Sequence, residues 1–157
     1  MQQPPPSLTE YQFAIDHVEK LLDRRQTNTS FYLSVNAGIL AVVGLLLAEF
    51  QSSQRWLPVS VLILACAGLV ACWIWRSLLH QYEISLGWWY ARLRELEAAM
   101  PNSARLVTRE YEELYVAAKD QRPSERIGMT RRELALNWVF IGLYVAFGVG
   151  VAWFWLL

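Results

Sequence analysis

The stretch Trp56–Leu79, WLPVSVLILACAGLVACWIWRSLL, decides the fold. It runs for more than twenty residues with a single charge, Arg76, close to its end. As an α-helix rising about 1.5 Å per residue, it exceeds the roughly 30 Å hydrocarbon core of a bilayer. Two further stretches of this kind stand on either side, Phe31–Phe50 and Leu134–Leu157, and their only formal charge is Glu49 at the end of the first. The pattern predicts an all-α integral membrane protein with three transmembrane helices. The expected division is a cytoplasmic amphipathic N-terminal helix over 1–30, transmembrane helix 1 over 31–50 and an external loop over 51–55. Transmembrane helix 2 follows over 56–79, then a cytoplasmic helical region over 80–133 and transmembrane helix 3 over 134–157.

The charges around these stretches set the orientation. Lys20, Arg24 and Arg25 precede the first span, the loop Gln51–Arg55 carries one arginine, and Arg76–Glu133 holds ten Lys or Arg residues. By the positive-inside rule the N-terminus and the long middle segment are cytoplasmic, and the short loop and the C-terminus are external. Tryptophans agree: Trp56 and Trp73/Trp75 bracket span two, and Trp138 and Trp153/Trp155 bracket span three, as interfacial aromatic belts do. With 14 basic and 14 acidic residues in all, no bulk attraction to a nucleic acid duplex is expected. The first apolar stretch begins too far in, and is too long, for a cleaved signal peptide, so it reads as retained. Cys66 and Cys72, both in span two, read as small core residues rather than a disulfide or a redox pair.

The aqueous segments carry helical periodicity. Ser7-Leu8-Thr9-Glu10 is a capping-box pattern, and Leu8, Tyr11, Ile15, Val18 and Leu22 then alternate spacings of three and four, as a coiled-coil seam does. In the second helix the same alternation runs through Ala65, Gly68, Cys72, Trp75, Leu79, Tyr82, Leu86, Trp89, Leu93, Leu96 and Met100, from inside span two to the stop at Pro101. Spans one and two are therefore expected to continue into the cytoplasm as an antiparallel stem, whose seams could close within one chain or between chains. A third helix is expected from Asn102 or Ser103, with Val107, Tyr111, Leu114 and Ala118 on one face. The breaker Gln121–Gly128 follows, and a second capping box, Thr130-Arg131-Arg132-Glu133, opens span three.

No catalytic or metal-ligating constellation is present in the sequence, and neither an enzyme nor a cofactor is expected. His17 and His80 read as solvated or packed in the stem. Glu95 and Glu97, like Glu110, Glu112 and Glu113, read as a solvated helix face beside arginines. The polar residues inside the spans say more. Ser34 and Asn36 in span one, and Asn137 in span three, stand near the inner ends. An asparagine in hydrocarbon has to find partners, so these serve either as interhelical glue or as a polar ring at the mouth of a pore. Gly142, Ala146 and Gly150 recur every four residues on span three, a ridge that lets helices approach closely and favours a homo-oligomer. Arg24, Arg25, Arg131 and Arg132 anchor the spans at anionic head groups or, together with Arg92 and Arg94, form a surface for an anionic ligand or partner.

Two elements carry a resemblance. Asp23–Asn36 holds an Arg-Arg-Gln followed by a Phe-aromatic-Leu-x-x-Asn entry into the span, and Leu96-Glu97-Ala98-Ala99-Met100-Pro101 forms a Leu-Glu-x-x-x-Pro element. Over about residues 8–101 the chain resembles SLATT-type membrane effectors and the transmembrane effectors of cyclic-nucleotide antiphage systems. The resemblance implies a bacterial inner membrane and an oligomeric effector that permeabilises the membrane on a cytoplasmic signal in antiviral defence. Span three departs from the two-span SLATT plan, and a nucleotide-sensing domain is missing, so the resemblance also implies a separate sensor protein or a ligand site on these helices. The alternative is a non-conducting membrane anchor that docks a cytoplasmic partner on its stems. A transporter is disfavoured because the spans carry no acid or base to couple transport.

Overall fold

The computed structural model describes residues 8–48, 56–100, 104–116 and 129–156. Four α-helices follow one another: α1 Leu8–Ala48, α2 Trp56–Ala99, α3 Leu106–Tyr111, which leads into a π-helical turn Glu112–Val116, and α4 Met129–Leu156. Ser7, the loop 51–55, Pro101 and the breaker 121–128 lie outside the described residues. Three of the helices are long and apolar enough to cross a membrane. This is an all-helical membrane protein.

At 41 and 44 residues, α1 and α2 run about 60 Å and 66 Å, twice the thickness of the hydrocarbon core. Their sequences permit this length. Pro58 falls in the first turn of α2, where a missing amide hydrogen costs no bond. Neither helix has a later proline, and the interior glycines cost only about 1 kcal/mol each. Along α2 the buried residues Ala65, Cys72, Trp75, Leu79, Leu86, Leu93 and Leu96 follow the three-four alternation of the sequence from the span into the stem.

The chain forms two compact units. The stem unit comprises residues 1–25 and 80–128, and the membrane unit 26–79 and 129–157. In the stem unit Ala14 and Val18 of α1 pack with Leu86, Leu93 and Leu96 of α2, so the two seams close within one chain. Of the expected α1 seam, Tyr11, Ile15 and Val18 pack in this core and the two end residues do not. Leu8 and Leu22 are exposed, while Ala14 and even Arg25 are buried and Leu21 packs on the core. A small alanine lets the stems approach.

In the membrane unit, Val43 of α1, Val61 of α2 and Val151 of α4 share one core cluster, and Ala65, Cys72 and Tyr144 another. The third helix differs from its expected form. It begins at Leu106, after Arg105 in the left-handed region at φ 49°, and gives way to the π-helical turn after Tyr111. Val107 packs on the stem core, Tyr111 is exposed, and Ala118 lies outside the described residues.

Candidate functional site

Inside the membrane unit, one polar cluster ties three helices together. Asn36 on α1 is fully buried. Its Nδ2 donates to the Tyr32 carbonyl one turn back at 2.7 Å. Its Oδ1 accepts the Tyr144 hydroxyl of α4 at 2.9 Å and the Cys72 thiol of α2 at 3.3 Å. Asn137 on α4, also fully buried, donates from Nδ2 to the Cys72 carbonyl at 2.9 Å. Tyr144 reaches Asn36 because Gly68 on α2 leaves room for its ring; a Cβ at position 68 would run into that ring. Asn137 Oδ1 and the indole N–H of Trp75 are buried without a protein partner. At another point of the unit, the Thr29 hydroxyl donates to Glu133 at 3.3 Å, and the Arg76 guanidinium lies 5.0 Å from the Trp138 ring centroid.

The stem unit has a counterpart built on a charge. Glu97, expected on a solvated face, is 1% exposed. Its Oε1 accepts the Tyr11 hydroxyl of α1 at 2.8 Å and the Val107 amide at 3.0 Å. Its Oε2 accepts the Thr108 amide at 2.8 Å and the Thr108 hydroxyl at 2.7 Å. A solvated carboxylate has water for these bonds. A buried one needs protein donors, and α3 supplies two orphan amides from its first turn. Arg105, the residue before α3, gives no side-chain cap, so Glu97 does the work of an N-cap from ten residues upstream. Burial alone would raise the Glu97 pKa; the bonds from Thr108, Val107 and Tyr11 outweigh it and hold the carboxyl below its ordinary range. Burial, the bond to Glu97 and the nearby negative charge push the Tyr11 hydroxyl up to about 12.

Beside this hub, a groove of about 470 Å³ is lined by Glu83, Gly87, Tyr90 and Arg94 of α2 and by Val107, Glu110 and Tyr111. Arg94 sits 3.7 Å from the Tyr111 ring centroid, a cation–π contact. On the α1 side of the unit, the His17 ring lies 4.4 Å from Trp89 and Phe13 packs edge-on to the same indole. His80 is exposed, 3.9 Å from Glu83.

Of the residues singled out in the sequence, Asn36 and Asn137 are joined through Cys72, which donates its thiol to the first and accepts at its carbonyl from the second, rather than directly. Ser34 is exposed and bonds back to the Ser30 carbonyl at 2.9 Å. Gly142, Ala146 and Gly150 are exposed, and a Cβ at either glycine would meet nothing within 4 Å, so the ridge is not spent on packing within the chain. The arginines of the stem unit are dispersed. Arg24 is exposed on α1 and Arg25 is buried. Arg92 pairs with Glu10 at 3.6 Å and with Glu95 at 3.1 Å, whereas Arg94 turns to Tyr111. Arg132 is exposed in the membrane unit, and the Arg131 side chain lies outside the described residues. Of the cysteines, Cys72 is buried and Cys66 exposed.

Sequence reasoning passed over Tyr144 and misplaced Glu97. Gly68, a small residue in a seam of larger ones, was the signal for the first; the second had no signal, because Asn102 and Ser103 offered the third helix a cap of its own.

A model of the octameric membrane protein family (8xMP) matches residues 8–154, nearly the whole chain and all three spans. That description names an assembly and a membrane. No curated protein and no solved structure matches the chain.

Proposed function

The chain belongs to the octameric membrane protein family, and from that premise we propose that eight copies form an effector in the bacterial inner membrane. In this reading the N-terminus and the stems are cytoplasmic and the C-terminus is external, as the basic residues direct. The stems receive a cytoplasmic signal, from a sensor protein or an anionic ligand, and the spans respond by perturbing the membrane in an antiphage or similar conflict system. No bond-making chemistry is assigned to it.

The observation that carries the assembly is the apolar surface left on the stem. Phe13, Ile84, Trp88 and Leu106 are each at least 60% exposed in a unit that stands in water. Ile84 and Trp88 stand one turn apart on α2, and large apolar side chains exposed side by side in an aqueous unit mark an interaction site. The effector role is supported by the resemblance carried by Asp23–Asn36 and Leu96–Pro101, and by two helices that each run unbroken from stem to span.

A second reading, a non-conducting octameric anchor for a cytoplasmic partner, is favoured by the enclosure of Asn36 and Asn137 inside one subunit. Membrane potential decides between them, followed with a voltage-sensitive dye in cells producing the chain alone or with its neighbouring genes. Depolarisation on triggering is the expected result. A potential that holds with the trigger present would replace the effector by the anchor.

A further inference from the structure

The stem unit presents two unlike faces, on opposite sides. On α1, Phe13, His17, Lys20 and Arg24 recur at spacings of four, three and four and so form one stripe. Phe13, Lys20 and Arg24 are exposed and His17 is half-buried. On α2, Glu83, Gly87, Tyr90 and Arg94 recur at the same spacings and form one wall of the groove. At about 100° per residue this wall lies around α2 from Trp89 and Arg92, the residues that border the α1 stripe. One face is cationic with an aromatic end. The other offers the carboxylates Glu83 and Glu110, with Gly87 leaving space between its larger neighbours.

A closed ring of one chain inserted in one orientation has its axis along the membrane normal. Each contact is then head-to-tail, one face of a subunit against a different face of the next. Rotation about that axis keeps every residue at its own height. Heights on α1 and α2 can be read from contacts within the chain, where Glu10 meets Arg92 and His17 meets Trp89, the numbers running in opposite directions. Continued along both helices, Arg24 stands at the height of Glu83, Lys20 at that of Gly87, and Phe13 near that of Arg94.

We propose that in the assembly the α1 stripe of one copy lies antiparallel in the α2–α3 groove of the next. Arg24 and Lys20 then flank Glu83, Lys20 passes over Gly87, and Phe13 reaches the Arg94–Tyr111 pair beside Glu110. The occupant of the groove is a second copy of this chain, selected by complementary charge, equal spacing and equal height. This rests on the ring reading above and adds the surface that builds the ring.

The test uses the full-length chain in membranes. Lys20→Cys in one tagged copy and Gly87→Cys in a co-expressed copy should give a mixed disulfide dimer on oxidation, absent when either variant is made alone. The mass of the unmodified assembly in detergent is measured alongside. Glu83→Arg or Arg24→Glu alone should reduce the ring to smaller species, and the two together should restore it. A wild-type ring with no mixed dimer, and with single reversals that leave its mass unchanged, overturns the groove contact and leaves the ring standing. A wild-type chain that is not a ring removes the ring reading, and the groove contact with it.

Discussion

The two units solve one problem with opposite chemistry. Each joins three segments through a buried polar residue: Asn36 in the membrane unit, Glu97 in the stem. In the membrane unit all the partners are neutral, an amide, a phenol and a thiol. A neutral amide can enter hydrocarbon at modest cost, whereas an ionised group there costs several kcal/mol or more. The stem lies outside the apolar stretches and can bury a full carboxylate, provided that four donors surround it. The lesson is that the depth of the solvent, rather than the strength of the bond, selects the residue at the hub. It also follows that the two hubs should fail differently.

The largest loss is expected in the stem. Glu97→Ala strands two amides and two hydroxyls, and we expect a cost of about 3–5 kcal/mol, the scale of breaking a buried charged contact. Hydrogen exchange at Val107 and Thr108 should rise by orders of magnitude, with the spans unaffected. Protection that survives would mean that α3 is held by something other than this carboxylate.

Next comes Gly68→Val, which drives a branched side chain into the Tyr144 ring and should cost about 1–3 kcal/mol in thermal unfolding in detergent. Tyr144→Ala in the same chain should recover part of that loss. A valine at 68 without effect would break the account of how Tyr144 reaches Asn36.

Asn36→Leu should cost less, on the order of 1 kcal/mol, because hydrogen bonds between helices in membranes average about 0.6 kcal/mol. A loss as large as that of Glu97→Ala would erase the contrast between the units.

The smallest effect near neutral pH is that of titration. The folded pKa of Glu97 is lowered, so its contribution is complete above the ordinary carboxylate range and is lost as pH falls through the folded value. The folded pKa of Tyr11 is raised, so its contribution is complete below 10.0 and is lost as pH rises through about 12. Protease resistance of the stem should therefore stay flat across neutral pH and fall at both extremes, with Glu97→Gln removing the acid limb. An acid limb that persists in Glu97→Gln belongs to another group.

Much of this fold is legible in the sequence because α2 writes it out. Its alternation from Ala65 to Leu96 matches buried positions in both units. The spans are legible for the same reason, since hydropathy reports on lipid directly. On α1, hydropathy misled. It favoured Leu8 and Leu22, whereas close packing of two stems selects the small Ala14. The hub at Glu97 was hidden because its donors come from a different helix, and periodicity on one helix cannot tell a solvated glutamate from one that caps a neighbour. Asn36 and Asn137 were visible as polar residues in lipid; their partner Tyr144 was not, since a tyrosine in a span reads as one more aromatic. Among the stem arginines, Arg92 turns to Glu10 and Glu95 and Arg94 to Tyr111, a divergence that charge along a sequence does not show.

The central claim is that the polar residues of the spans lock one subunit together instead of facing a water-filled lumen. Thiol accessibility tests it most directly, with Asn36→Cys placed in the assembled protein in inside-out vesicles and exposed to a membrane-impermeant maleimide. Glu19→Cys, exposed on α1 away from the Phe13–Arg24 stripe, serves as the labelled reference, and the parent chain as the background for Cys66 and Cys72. Position 36 is expected to stay unlabelled while position 19 reacts fully. Labelling at 36 to the same extent as at 19 would place position 36 in water and contradict the claim.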